Sequence, residues 1–387
     1  MITGTAKLIV DLGNSETRVK TMFGKTSKGA IKQITTVLDN RSNRIDPNMV
    51  DVYLNSGDYS EENSRIYKYH GEYRCSGELC ATEFGAGADR PTALQKKYEL
   101  QATRYALLNA FAQGYEDLCS LANCDLDQID VTWAVSVLLP PEDIDDGAKP
   151  LADLVREIDH IEFLMPKIDK DIKIESVNVY PEGFCAFVGV VFKSKGSFRQ
   201  EYAYLVNNDQ YTLICDIGAG TTDFVLVRGA KAISSSRFTR EIGGNNVHRV
   251  VQRDINKSMR LGLTNDRAQE GCEQGYVMNG STRISIVDQI AKAKREVSQQ
   301  LVDAVREYFE SSMLPVRSIT NLLVVGGGAE EPVYEGGEPI ATYIVEYMKE
   351  LSPSINLVDL PTHTVDGNTV KMSPRLLNIT GAGILAE

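Results

Sequence analysis

Two stretches of this chain, 205 positions apart, align without a gap. Leu8–Gly24 reads LIVDLGNSETRVKTMFG, and Leu213–Gly229 reads LICDIGAGTTDFVLVRG. They match at Leu8/Leu213, Ile9/Ile214, Asp11/Asp216, Gly13/Gly218, Thr17/Thr222 and Gly24/Gly229. Each copy is an apolar strand ending in an acid, a turn of small and hydroxyl residues, and a second strand. Such a duplication implies two similar α/β domains facing each other across a shared ligand. Small turn residues let backbone N–H groups point at an anion, and Ser/Thr hydroxyls add donors. A carboxylate cannot hold a phosphate directly, so the two acids imply a cation between them and it. Asp11 with Gly13, Asn14 and Ser15 could be turn chemistry alone. Asp216 with Gly218, Gly220, Thr221, Thr222 and Asp223 is harder to explain as a plain turn.

Bulk properties narrow the classes. With 387 residues the chain has room for two domains. Its net charge of −12 argues against a surface that grips bare nucleic acid or acidic lipid, although a local basic patch remains open. The seven cysteines include no C-x-x-C, so a reducing cytoplasm is expected. Cys75/Cys80 and Cys119/Cys124 share a C-x4-C spacing, and a four-cysteine metal site is the alternative to free thiols. MITGTAKLIVDLG runs straight into a strand, and no apolar run nears the ~20 residues a membrane span needs, so no leader, anchor or membrane partner is expected.

Periodicity places the other elements. A helix is expected over 94–112 with Leu94, Tyr98, Tyr105, Leu108 and Ala112 on one stripe. Buried strands are expected at 131–139, 174–179 and 322–325, and a hairpin strand at 66–73. Helices are expected near 148–158, from Pro181 to Val190, and at 247–259 with an asparagine N-cap, 286–309, 338–351 and 378–386. Residues 193–208 read as a hairpin. Ile286, Ile290, Ala293, Val297, Leu301, Ala304 and Phe309 make one apolar stripe, with Lys294, Arg295 and Ser298 on the opposite face.

Three further motifs bear on chemistry. Gly326-Gly327-Gly328 follows a buried strand, where missing Cβ atoms let backbone approach a flat ring or ribose. Tyr180-Pro181-Glu182-Gly183 is either ordinary helix-start chemistry or a carboxylate aimed at a water beside a phosphate. Lys294, Arg295 and Ser298 are either a solvated face or ligand contacts.

Taken in order, phosphate loop, connecting helix, phosphate loop, triple glycine and small-residue helix resemble the actin and heat-shock-chaperone ATPase superfamily. The likeness runs from Asp11 to Ala386. DLGN, the Gly77–Ala81 segment with its following RP…KY…LL helix, and LPPE after the 131–139 strand look most like the ParM-type bacterial actins that segregate plasmids. The resemblance implies an actin-like ATPase fold, two ribonuclease-H-like domains around a central nucleotide cleft. Domain I would be 1–180 plus 352–387, and domain II 181–351. It implies that Asp11 and Asp216 hold Mg²⁺ through its waters, with Asp216 taking the proton of the attacking water that Glu182 orients. Gly13, Asn14 and Ser15 would meet the phosphates from one domain, and Gly218, Gly220, Thr221 and Thr222 from the other. Gly326, Gly327 and Gly328 would lie under the adenosine, beside Lys294, Arg295 and Ser298. The nucleotide would be ATP or GTP. The implied function is a cytoplasmic ATPase that polymerises into dynamic filaments and positions plasmid or phage DNA through a ParR-type adaptor, without touching nucleic acid itself. A non-polymerising nucleotide switch or a small-molecule kinase on the same fold is the alternative. Residues 31–90 and 142–173 match no pattern of the family.

Overall fold

The computed structural model describes residues 2–24, 31–60, 62–89, 95–365 and 368–387. They form two compact units. The first is Met1–Leu139 with Asp143–Pro181 and Ala382–Glu387; the second is Pro140–Glu142 with Glu182–Gly381. Residues 352–381, expected in the first domain, therefore make their contacts in the second.

The first unit runs β1 (Ile2–Leu12), β2 (Glu16–Phe23), β3 (Lys32–Asp39), β4 (Ser42–Arg44), α1 (Pro47–Ser56), β5 (Ser64–Tyr69), β6 (Glu72–Gly77), α2 (Glu78–Phe84), α3 (Gln101–Ala122), β7 (Ile129–Leu139), α4 (Ile144–Arg156), β8 (His160–Met165), β9 (Ile168–Asp171) and β10 (Ile174–Pro181). Its main sheet has the order β10-β7-β1-β2-β3, with β10, β7 and β1 parallel and β2 and β3 antiparallel. The alternating and continuous apolar runs of β1 and β7 bury Leu8, Val10, Trp133, Val135 and Val137 against α3. Trp133 meets Phe111 and Tyr115 edge-on, and a Cβ on Gly114 would stand 2.9 Å from its ring, so glycine lets α3 sit close to the sheet.

The α3 helix departs from expectation. Leu94, like Arg90 and Pro91, lies outside the described residues; Tyr98 is in a short 3₁₀ turn, and the helix continues to Ala122, where Asn123 closes it at φ +52°. Its C-terminal half stays buried through Leu118, so tertiary packing carries it past the stripe visible in sequence.

The two stretches that matched no pattern meet in one place. Strands from 42–77 and 160–171 build a second sheet of order β4-β6-β5-β8-β9. It has its own small core of Ile45, Val50, Ile66, Leu79 and Met165 with Cys75 and Cys80. All seven cysteines are free thiols, and among the described residues no group of three or more metal-type side chains could hold an ion. The four-cysteine site is thus absent among them; Cys75 and Cys80 are core residues of the small sheet, while Cys119 and Cys124 sit at the end of α3.

The second unit begins with α5 (Phe184–Val191), two short strands β11 (Phe192–Ser194) and β12 (Ser197–Phe198), and a 3₁₀ helix over Gln200–Val206 where only a hairpin was expected. Then come β13 (Tyr211–Ile217), β14 (Thr222–Arg228), β15 (Lys231–Ala232), β16 (Phe238–Arg240), α6 (Gly244–Met259), α7 (Asn265–Gln274), β17 (Tyr276–Asn279), β18 (Thr282–Ser285), α8 (Val287–Ser311), β19 (Asn321–Val325), α9 (Ile340–Leu351), β20 (Asn356–Leu357), β21 (Thr362–Val365), β22 (Asn368–Lys371) and α10 (Leu377–Ala386). Its sheet order, β15-β14-β13-β19-β20 with β16 also on β14, repeats the plan of the first unit: an antiparallel hairpin, then a parallel strand beside its first member.

Three local readings change. The Pro181 helix start is instead the last residue of β10, and α5 opens at Phe184, because proline donates no N–H and sits at a strand end. The α6 N-cap is Gly243, not asparagine; Asn246 reaches back from inside the helix to the Gly243 N–H at 3.0 Å. Ser298 is fully buried, because the apolar side of α8 is wide enough to take in Val302 and Val305 one and two turns beyond it.

Helices α5 and α10 touch backbone to backbone. A Cβ on Gly381 would lie 1.7 Å from the Cys185 carbonyl oxygen, and one on Gly189 would lie 2.6 Å from that of Leu377. In the first unit, Lys7 Nζ donates to the Ala386 carbonyl at 2.7 Å, and the stem of buried Lys20 runs under Gly383.

Candidate phosphate and nucleoside site

The two hairpins are copies in geometry as well as sequence. In the first, Lys7 pairs with Met22 and Asp11 with Arg18. In the second, Thr212 pairs with Val227 and Asp216 with Asp223. Both registers are related by the same 205-residue offset. Each turn is closed by one bond from its glycine N–H: Gly13 to the Glu16 carbonyl at 2.9 Å, and Gly218 to that of Thr221 at 2.8 Å. A Cβ on Gly13 would stand 2.5 Å from that same Glu16 oxygen, so the first turn requires glycine.

In the first unit, Asp11 is buried and takes the Arg18 guanidinium at 3.1 Å; Glu16 lies 3.6 Å from the other guanidinium nitrogen. Asn14 is half-buried and Ser15 exposed at the tip of the turn. The buried side chain of Asn40 donates to the Gly13 carbonyl, and its N–H donates to the Ser15 carbonyl at 3.1 Å. Arg18 and Asn40 escaped the sequence reading. Arg18 follows from the hairpin register, while Asn40 is brought in by β3.

The second unit gathers more. Asp216 and Asp223 are buried neighbours across the hairpin, and the Thr239 hydroxyl donates to Asp223. The Thr222 hydroxyl donates to the Ile242 carbonyl at 2.6 Å. The start of α6 is tied to the turn by Gly244 N–H to the Gly218 carbonyl at 2.9 Å and Asn245 N–H to that of Ala219 at 2.8 Å. Gly243 fits only as glycine, since its Cβ would stand 2.7 Å from both carbonyl oxygens. Gly326, at φ +90°, leaves room for neither the Ile217 oxygen (2.4 Å) nor Asp216 Oδ1 (2.5 Å) if a Cβ is added. Gly328 lies under Ile217, and a Cβ on Gly244 would be 3.6 Å from its Cα. Gly218, Gly243, Gly244, Gly326 and Gly328 are thus packed close together beside Ile217 and Asp216.

Asn378 organises this region. Its amide oxygen accepts from Gly183 N–H at 2.9 Å and Ala186 N–H at 3.1 Å, while its amide nitrogen donates to Asp216 Oδ2. Glu182, also buried, is therefore held one residue from a group bonded to the same side chain as Asp216. The sequence marked Asn378 only as a helix start; its role depends on a contact across 162 residues.

The proposed nucleoside contacts fare differently. Lys294 Nζ donates to the Glu338 carbonyl at 2.6 Å, and burial holds its amine below the usual lysine range. Arg295 lies over the Tyr343 ring at 5.1 Å. Ser298 is buried and its Oγ has no hydrogen-bond partner. Lys294 and Arg295 are thus engaged with the segment after the glycines and with α9.

Asp216 and Asp223, side by side across the second hairpin, offer only oxygen donors, the donor type a hard divalent cation takes.

The sequence model of the C-terminal domain of the archaeal MreB-like actin homologue matches residues 214–332. No curated protein sequence matches the chain. Solved structures do. The actin-like protein Alp7A superposes with a TM-score of 0.67 at 17% identity, over 100% of this chain and 96% of its own. The archaeal actin homologue Ta0583 gives 0.66 at 14%, over 98% of each chain, and its ADP complex 0.61 at 14%, over 97% of this chain and 96% of its own. A ParM filament of 15 strands from Clostridium botulinum gives 0.65 at 16%, over 98% of each chain. The duplicated sheet-and-hairpin units of this chain build the actin-like fold. Within that class, its architecture is shared over nearly full length with ParM-type proteins.

Proposed function

We propose that this protein is an ATP-hydrolysing actin-like protein that assembles into dynamic filaments and positions plasmid or phage DNA through a ParR-type adaptor. The observation that carries the reading is the repeated hairpin: one register, one glycine-closed turn and one acid, present once in each unit. Support comes from relatives of the same fold, an archaeal actin homologue crystallised with ADP and a bacterial ParM solved as a filament. Among the described residues no helix is long and apolar enough to cross a membrane.

The roles follow from chemistry. Asn14 and Ser15 in one unit, and Gly220 and Thr221 in the other, donate to the β- and γ-phosphates of ATP, while Gly13 and Gly218 close the two turns and Thr222 ties its turn to Ile242. Asp11 and Asp216 hold Mg²⁺, whose charge offsets that of the phosphates. Asp216 also takes the proton of the attacking water, which Glu182 orients. Gly326–Gly328 give the adenosine a flat floor. Phosphoryl transfer to water needs positioning and charge stabilisation more than covalent help. Donors carried on two units must converge for that, so nucleotide state is coupled to the angle between units and, in a polymer, to its stability.

The test is right-angle light scattering with Mg-ATP beside phosphate release, with negative-stain images of the same sample. Scattering that rises above a critical concentration and decays as phosphate appears is expected. Flat scattering with steady hydrolysis would replace the filament with a monomeric switch or kinase.

A further inference from the structure

Two C-x4-C spacings in this chain have the same length and opposite surroundings. Cys75 and Cys80 are fully buried in the core of the small sheet, where the two thiols hydrogen-bond to each other. Cys119 and Cys124 are both partly exposed and straddle the end of α3. Burial with no path for a reagent keeps a thiol inert, whereas exposure leaves it open to exchange. Of the other three cysteines, Cys185 and Cys215 are buried, and burial pushes the Cys272 thiol up to about 12.

The helix end sets the second pair side by side. Asn123 takes a left-handed conformation at φ +52° and ψ +57°, and its N–H turns back onto the Cys119 carbonyl. The Cys124 N–H donates to the same oxygen at 3.1 Å. A helix closed in this way brings a side chain of its last turn against the one that follows the left-handed residue, and here those two are Cys119 and Cys124. With standard backbone dimensions the 3.1 Å bond keeps their Cα atoms within about 7 Å, and the bend of the turn shortens the path into the roughly 4.4–6.8 Å that a disulfide spans. Both side chains pack against the rim of the main-sheet core. Burial pushes the Cys119 thiol up, and the nearby Cys124 adds to that.

We infer that Cys119 and Cys124 are a redox modification site, a dithiol that closes into an intramolecular disulfide across the end of α3 when it meets a small disulfide of the glutathione class. Cys124, having lost its proton to water, attacks one sulfur of that disulfide as the thiolate. The small S–S bond breaks, and one small thiol leaves as a thiolate and takes up a proton. Cys119 then gives up its proton and attacks the Cys124 sulfur, which expels the second small thiol. Two protein thiols are oxidised, and one small disulfide is reduced to two thiols. The link falls at a joint of the first unit. Lys32 Nζ donates to the Leu121 carbonyl at 3.0 Å between the two cysteines, and β7 begins soon after them at Ile129, opposite Ile2 of β1. The same helix holds the small sheet, through Ser76 to Asn109 and Arg65 to Glu116. Closure therefore pins the last turn of the helix that both sheets share. The site lies wholly in the first unit, so its test is separate from those of nucleotide binding and assembly.

The experiment incubates the full chain with oxidised glutathione, traps the remaining thiols with iodoacetamide, and maps peptides by mass spectrometry without reduction. The expected product has lost two hydrogens, carries a Cys119–Cys124 link and returns to the free dithiol with dithiothreitol. C119S should instead hold a glutathione adduct on Cys124, because the thiol that expels it is gone. The link should form at least about tenfold faster than any modification of Cys75 or Cys80 in the same sample. The oxidised parent should melt above the reduced parent, and C124S, with its fold checked by circular dichroism, should show no such gain. Alkylation of both Cys119 and Cys124 with no link after prolonged oxidation would overturn the inference. A link through these residues between two copies of the chain, read on a non-reducing gel, would also overturn it, as would a link that forms first between Cys75 and Cys80.

Discussion

Replacing Asn378 by alanine should damage stability and nucleotide binding together. One side chain accepts from the Gly183 and Ala186 N–H groups at 2.9 and 3.1 Å and donates to the Asp216 carboxylate, all in buried surroundings. A buried donor left without its acceptor costs roughly 1–3 kcal/mol, and a lost donor to a charged group about 1.5–3 kcal/mol. Taken at the low end of each range, the three contacts reach about 3.5 kcal/mol. For a unit of this size that corresponds to a fall of roughly 7–14 °C in Tm. The Asp216 carboxylate also loses its Asn378 donor, so nucleotide affinity should drop at least tenfold. Differential scanning fluorimetry and titration with a fluorescent nucleotide read the two effects. Asn378→Asp separates them: it keeps an acceptor for both N–H groups but sets a second carboxylate on Asp216. Its defect should therefore shrink as pH falls below ~5, when a protonated carboxyl can donate as the amide did. Melting of Asn378→Ala within about 2 °C of the parent, with an unchanged Kd, would refute the reasoning.

Other outcomes follow from single contacts. Gly326→Ala forces a Cβ within 2.5 Å of Asp216 Oδ1 at φ +90°, so about 2–4 kcal/mol of stability should disappear in chemical denaturation; a wild-type midpoint would contradict the close packing. Glu182→Ala should bind nucleotide and assemble like the parent yet release phosphate at least tenfold more slowly, and unchanged steady-state turnover would remove Glu182 from that role. Burial lowers the Lys20 pKa from its ordinary 10.5, against a smaller opposing pull from Glu387. In the pH interval between the folded value and 10.5 the unfolded chain holds the extra proton, so stability from this site rises with pH there. Lys20→Met should therefore raise Tm at neutral pH, with the gain shrinking as pH climbs toward 10.5; a gain that grows with pH would reverse the assignment.

The hairpins were legible in sequence because their chemistry is local: acid, glycine and hydroxyl lie within ten residues of one another. Their identical register was legible too, since a gapless repeat can only fold into matching ladders if both turns have the same length. The small sheet of 42–77 and 160–171 was not legible, because its strands come from two polar stretches that pair only after α3 and β7 have brought them together. Asn378 was missed for the same reason, its partners lying 162 to 195 residues away. Ser298 was misplaced because a stripe drawn through one apolar residue per turn understates the width of a buried helix face.

The register position opposite each acid holds the one telling difference between the copies. Arg18 faces Asp11, and Asp223 faces Asp216, at positions related by the same offset. Two identical chains meeting about a twofold axis must present the same residue at both places. A fused duplicate is free of that constraint, and here it has kept the scaffold of both copies while letting one become cation-paired and the other doubly acidic. Joining the repeats in one polypeptide is thus what allows the two copies of the hairpin to specialise, one setting a guanidinium across from its acid and the other a second acid.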